Sequence, residues 1–187
     1  MLDYVTRYFD EIRAILDTID KESICEMMDE IQQLRESGGR LFICGVGGSA
    51  ANASHAVNDF RKILGLETYT PTDNVSELTA RINDESWEES YINWLKVSKL
   101  SSKDAIMILS VGGGSDSTSQ NLVKVMDYAR TLNARVMAIV SRDGGHAKKT
   151  AHSCVLIPVI ESDTITPHAE EWQGILWHMM VSGLARL

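Results

Sequence analysis

Apolar residues recur at helical intervals through the first forty positions. Leu2, Val5, Phe9, Ile12, Leu16 and Ile19 stand three or four apart and line one face of an amphipathic helix. Asp20 can cap a second helix, in which Ile24, Met27, Ile31 and Leu34 repeat the pattern until Ser37, Gly38 and Gly39 stop it. The pair predicts a helical hairpin over residues 1–38. Its apolar face is expected either to pack against another copy of the chain or to cover the chain's own sheet. From residue 40 the period changes. Short apolar runs at 40–45, 104–111, 135–141 and 154–160, with a weaker one at 66–69, read as buried parallel strands. Helical stretches fall between them at 50–64, at 75–99 with a break near Asn83 and Asp84, at 116–132 and at 146–150. A last helix spans about 167–187, and residues 71–74 form a loop. Strands alternating with helices imply a parallel sheet covered on both faces with right-handed crossovers: an α/β fold in three α/β/α layers, one domain over residues 1–187.

Composition narrows the class. The 187 residues are 44% hydrophobic and 24% charged, too apolar for disorder and enough to bury roughly 70% of the unfolded chain's surface. The net charge is −8 with no Lys/Arg block, which argues against a nucleic-acid surface. No apolar run reaches the roughly 18 residues of a membrane helix, and acids sit where a signal peptide needs basic residues. Cys25, Cys44 and Cys154 lie far apart among apolar neighbours and read as reduced core residues of a cytoplasmic protein.

Two glycine-rich loops follow strands and open helices. They are Gly45-Val46-Gly47-Gly48-Ser49-Ala50 and Ser110-Val111-Gly112-Gly113-Gly114-Ser115. At such a place backbone N–H groups and the positive end of a helix converge, so a phosphate or the polar end of a sugar is the expected occupant. The first loop also fits GxGxxA, a weak match to a dinucleotide site, and two separate anion cradles suit a compact phosphosugar better. His55 and Asp59 are one turn apart on the helix leaving the first loop. The last helix carries Glu170, Glu171, Gln173 and His178, with Glu171 and His178 on one stripe. Imidazole and carboxylate groups from two helices can bind zinc or another divalent cation, and can also move protons. His146, His152 and His168 are expected at the surface. Trp87, Tyr91 and Trp94 read as core, and Trp172 and Trp177 as core that could wall a pocket.

Together these motifs resemble the sugar isomerase (SIS) domain family, and within it the phosphoheptose isomerase branch. The resemblance runs through the helical hairpin, GxGGSA with a His six residues after its serine, Asn83-Asp84, the Ser/Gly loop after the third strand, Asp143-Gly144-Gly145, and an acid and histidine on the final helix. It implies a homotetramer with active sites between subunits, residues 1–38 packing between copies. It also implies conversion of sedoheptulose 7-phosphate to an aldoheptose 7-phosphate, typically with zinc. Carried over by position, the substrate-binding residues are Val46, Gly47, Gly48, Ser49, Asn83, Asp84, Ser110, Val111, Gly112, Ser115 and Glu170. The metal ligands are His55, Asp59, Glu170 and His178, and Asp59, Glu171 and His178 are the proton carriers. This chain departs from the family pattern in having Val46 for Asn, Asp59 for Glu, Glu170 for Gln, and Val111 and Gly112 for two hydroxyl residues. The loss of those hydroxyls keeps a second expectation open: a non-catalytic sugar-phosphate-binding or replication-initiator-associating regulator.

Overall fold

The computed structural model describes all of residues 1–187. Five strands, β1 (Leu41–Gly45), β2 (Thr68–Tyr69), β3 (Ala105–Leu109), β4 (Arg135–Val140) and β5 (Ser153–Leu156), form one sheet in the order β2-β1-β3-β4-β5. Every neighbouring pair is parallel, with Gly45 opposite Leu109 and Leu109 opposite Ile139. The chain leaves β1 toward β2 on one side and then returns to place β3 on the other. The strand order therefore reverses between β1 and β3, and a crevice opens beyond their C-terminal ends. Both glycine loops lie there.

Strand alternation sorts the core into two layers. Leu41, Ile43, Ala105, Met107, Leu109, Met137 and Ile139 face α2 (Lys21–Glu36), α3 (Gly48–Leu64) and α8 (Ile165–Leu184). Phe42, Cys44, Ile106, Ile108, Val136, Ala138 and Val140 face α5 (Trp87–Val97), α6 (Gln120–Thr131) and α7 (Gly145–Thr150). α4 (Val75–Asp84) joins β2 to α5. No helix is long and apolar enough to cross a membrane.

Several boundaries differ from the sequence expectation for local reasons. The break in the 75–99 stretch falls at Glu85 and Ser86, where Ser86 Oγ accepts from Glu89 N and starts α5. β5 ends at Leu156, just before Pro158, which has no N–H to give a ladder. α6 starts at Gln120 rather than 116, because Ser115 N donates to Thr118 O and Ser119 adopts a left-handed φ of 54°.

The N-terminal helix α1 (Leu2–Thr18) forms as predicted, and Asp20 Oδ1 accepts from Glu22 N at the start of α2. Ile12, Ile15 and Ile19 join the core, but Leu2, Val5, Phe9 and Leu16 of the same apolar stripe are exposed. α1 is tied to the beginning of α8. Glu11 accepts from Thr164 Oγ1 at 2.6 Å and pairs with His168 Nε2 at 2.8 Å, while Tyr8 Oη donates to Glu171 at 2.7 Å. His168 is thus buried rather than at the surface. The Thr164 hydroxyl and the His168 ring hold the Glu11 carboxyl below the usual range. Of the cysteines only Cys44 is fully buried, its thiol pushed up to about 12, and Cys25 is exposed. Tyr91 is buried and donates to Gly45 O, whereas Trp87 is partly exposed.

Candidate active site

The helix leaving the first glycine loop, α3, packs against the last helix, α8. Asn52 Nδ2 fixes their relative position by donating to Glu170 O (2.8 Å) and Gln173 Oε1 (3.0 Å). One turn further along α3 stand His55 and Asp59, and opposite them on α8 stand Trp177 and His178. His55, Asp59 and His178 each offer one ligand atom within 4.8 Å of the others. Asp59 Oδ2 is the hub: His178 Nε2 lies 3.3 Å away, His55 Nε2 3.7 Å away, and the Trp177 indole N–H donates to it at 3.3 Å. Oδ1 accepts from Asn58 Nδ2 at 3.0 Å. The carboxylate is buried while both imidazoles are more than half exposed, so the cluster opens outward over an anchored acid.

The His178 Nδ1–H donates to Gly174 O at 2.7 Å, which leaves Nε2 with its lone pair toward Asp59. An imidazole fixed in this way by a backbone carbonyl is the usual support of a metal-binding histidine. Two imidazole nitrogens and one carboxylate oxygen match the three-ligand donor set of a catalytic zinc, with positions left for a substrate.

Glu170 lies outside this group. It precedes His178 by eight residues on one helix, a rise of about 12 Å. Its carboxylate instead covers the start of α3, where a Cβ built on Gly48 would come within 2.3 Å of Oε2. The positive end of α3 is therefore faced by the chain's own carboxylate rather than left for an anion, and a side chain at 48 would push that carboxylate aside. Glu171 is also apart from the cluster. It accepts from Tyr8 Oη and lies 3.3 Å from His168 Nδ1, so it serves the docking of α1. The stripe it shares with His178 is real, but the two positions lie two turns apart and meet different neighbours.

The second loop builds a cavity of about 390 Å³ beyond β3. Ser110, Val111, Gly112 and Ser115 line it, with Val46 and Ser49 from the first loop, as do Thr118, Ser119, Arg142 and Asp143. Of the substrate residues read from the sequence, Gly47, Gly48, Asn83, Asp84 and Glu170 do not line it. Asn83 donates to Asp84 Oδ1, and both are exposed at the end of α4. The triple glycine has a structural reason in addition. A Cβ on Gly113 would sit 2.1 Å from Gly144 O, and His146 N and Ala147 N donate to Gly114 O and Gly113 O. The loop after β3 and the Asp143-Gly144-Gly145 turn after β4 interlock backbone to backbone.

Four residues of the site and cavity stand outside the sequence expectation. Trp177 reads from the sequence as core that could wall a pocket, but its hydrogen bond to Asp59 has no signal there. Thr118 and Ser119 were assigned to a helix, and Arg142 carried no motif beyond its place just after a strand bordering the crevice.

Comparison with known proteins bears on the family and the fold. The SIS domain family model matches residues 7–141. A phosphoheptose isomerase of Helicobacter pylori (strain P12) is 29% identical over 174 residues, 88% of this chain and 86% of that protein. Another, from Chlorobium phaeobacteroides, is 34% identical over 130 residues, 66% of this chain and 55% of that protein. Among solved structures, the phosphoheptose isomerase of Neisseria gonorrhoeae shares the fold with a TM-score of 0.86, over 99% of this chain and 98% of that one, at 22% identity.

Proposed function

The chain belongs to the SIS domain family, and from that membership we propose that it is an aldose–ketose isomerase of the phosphoheptose type. Its substrate is sedoheptulose 7-phosphate and its product D-glycero-D-manno-heptose 7-phosphate. The observation that carries the reading is the meeting of His55, His178 and Asp59 on two packed helices, one of which, α3, leaves the loop whose Val46 and Ser49 line a hydroxyl-rich cavity beyond β3. A scaffold that only binds a sugar phosphate has no need of a buried carboxylate ringed by two imidazoles and an indole N–H.

Isomerisation moves one proton between adjacent carbons and one between their oxygens, through an enediolate. Asp59 is the base for the carbon-bound proton, its Asn58 and Trp177 donors holding the carboxylate in one orientation. His178 Nε2, 3.3 Å from that carboxylate, exchanges the oxygen-bound proton while Nδ1 stays tied to Gly174 O. Ser110, Ser115, Thr118 and Ser119 orient the phosphoryl end, and Glu170 over the first loop accepts from sugar hydroxyls. The resident cation we assign is zinc, which His55, Asp59 and His178 would hold and which would supply Lewis-acid polarisation of the substrate carbonyl; a ligand atom carries no proton, so Asp59 and His178 would exchange protons only when released from the cation.

The assembly is a homo-oligomer, a tetramer on the family resemblance. The exposed stripe of Leu2, Val5, Phe9 and Leu16 supports it as the face another copy covers. Three free cysteines and a phosphorylated substrate suit a reducing cytoplasm. Turnover of sedoheptulose 7-phosphate by the purified protein tests the activity, and metal content measured on the same sample tests the zinc.

A further inference from the structure

Arg142 follows β4 directly. Ser141 before it is buried and held on both sides: its N–H donates to Val111 O (2.9 Å) and its Oγ to Ile157 O (2.9 Å). The chain then turns sharply, and Arg142 takes a left-handed φ of 56°, a conformation L side chains adopt only where the surroundings impose it. The result is that its side chain leaves its own loop and crosses onto the neighbouring one. A Cβ built on Gly112 would meet nothing but Arg142 Cδ, at 3.9 Å. The side chain borders the cavity and makes no ion pair or hydrogen bond inside the chain. The adjacent carboxylate, Asp143, spends Oδ1 on Gly145 N at 3.1 Å. Arg142 is the only cationic side chain lining a cavity whose other polar groups include Ser49, Ser110, Ser115, Thr118 and Ser119.

We propose that Arg142 is the specificity-determining residue for the phosphoryl group, the fixed charge that makes this site prefer a phosphorylated sugar over the free one. Hydroxyls can orient a phosphate but carry no charge to balance it, whereas a guanidinium meets a phosphomonoester through two parallel N–H···O bonds. A Cβ at 112 would touch the Arg142 stem only at ordinary van der Waals distance, so the two loops meet at this stem without strain. The inference rests on the phosphosugar reading and names the residue on which its selectivity depends.

The test compares wild type, Arg142→Gln and Arg142→Lys, with thermal melts confirming that each variant is folded. On sedoheptulose 7-phosphate, Arg142→Gln is expected to raise KM by about 10- to 100-fold with little change in kcat, the mark of lost ground-state binding. The preference for the phosphorylated over the unphosphorylated ketose falls by the same factor, and Arg142→Lys recovers part of it. Inorganic phosphate, used as a competing ligand, inhibits wild type and loses its grip on Arg142→Gln. An unchanged KM and unchanged phosphate inhibition in Arg142→Gln would overturn the inference and leave the isomerase assignment standing. If wild type turns over no heptose phosphate, that assignment falls, and thermal stabilisation by inorganic phosphate decides the role of Arg142. Stabilisation of wild type but not of Arg142→Gln upholds it; equal stabilisation, or none in either, overturns it.

Discussion

The indole N–H of Trp177 donates to Asp59 Oδ2 at 3.3 Å, and so joins α8 to α3 at the atom where two imidazoles also converge. Trp177 is fully buried and packs its ring against those of His55 and His178, with centroids 5.5 and 4.8 Å away. A core residue thus sets the aim of the most chemically loaded carboxylate in the chain. Trp177→Phe keeps most of the packing and removes only the donor. It is expected to leave the fold intact and to weaken divalent-cation affinity by about tenfold, read by titrating the apo protein with zinc.

Zinc and the fold are linked through the same three side chains. Adding zinc to the metal-free protein should raise its melting temperature, since a ligand that binds only the folded state stabilises it by mass action. His55→Ala and His178→Ala should each abolish most of that rise, while Glu170→Gln, outside the donor cluster, should keep it. Differential scanning calorimetry with and without chelator reads all four proteins.

The interlocked turns give a contrast within one tripeptide. Gly113→Ala drives a Cβ into Gly144 O and strains a φ of 71°, so it should cost about 2 kcal/mol or more, several degrees in melting temperature. Gly112→Ala meets only the aliphatic part of Arg142, at ordinary contact distance, and should melt close to wild type.

The folded-state pKa of Glu11 lies below its unfolded value, chiefly through the Thr164 hydroxyl and the His168 ring. The stability it contributes is therefore present above the ordinary glutamate range and lost as pH falls through the folded value. Glu11→Gln should flatten the acid limb of a stability-versus-pH curve measured by urea unfolding. The same variant should loosen α1, detected as faster amide exchange in residues 2–18 than in α2.

How far the sequence reached depends on how local each signal is. The strands were legible because an apolar run closed by glycine or serine has few other uses, and β1, β3 and β4 fall within two residues of their expected limits. The same holds for His55 with Asp59, one turn apart on one helix. The start of α6 was not legible, since Asp116 and Ser117 look like caps while the turn at Ser115 and the left-handed Ser119 postpone the helix. Glu11 and His168 pair across 157 positions, and no periodicity reveals such a partner. Glu170 and Glu171 show the limit within one helix. Adjacent carboxylates look interchangeable in sequence, yet one covers Gly48 and the other takes the Tyr8 hydroxyl, because successive helical positions point about 100° apart. The apolar stripe of α1 was plain, but a stripe does not say whose surface covers it.

The most direct measurement is the isomerase assay itself, on sedoheptulose 7-phosphate, with wild type, Asp59→Asn and His178→Ala of verified fold. Wild type should form the aldoheptose phosphate, and each variant should lose about 100-fold or more in kcat. Turnover that survives unchanged in both variants would contradict the account.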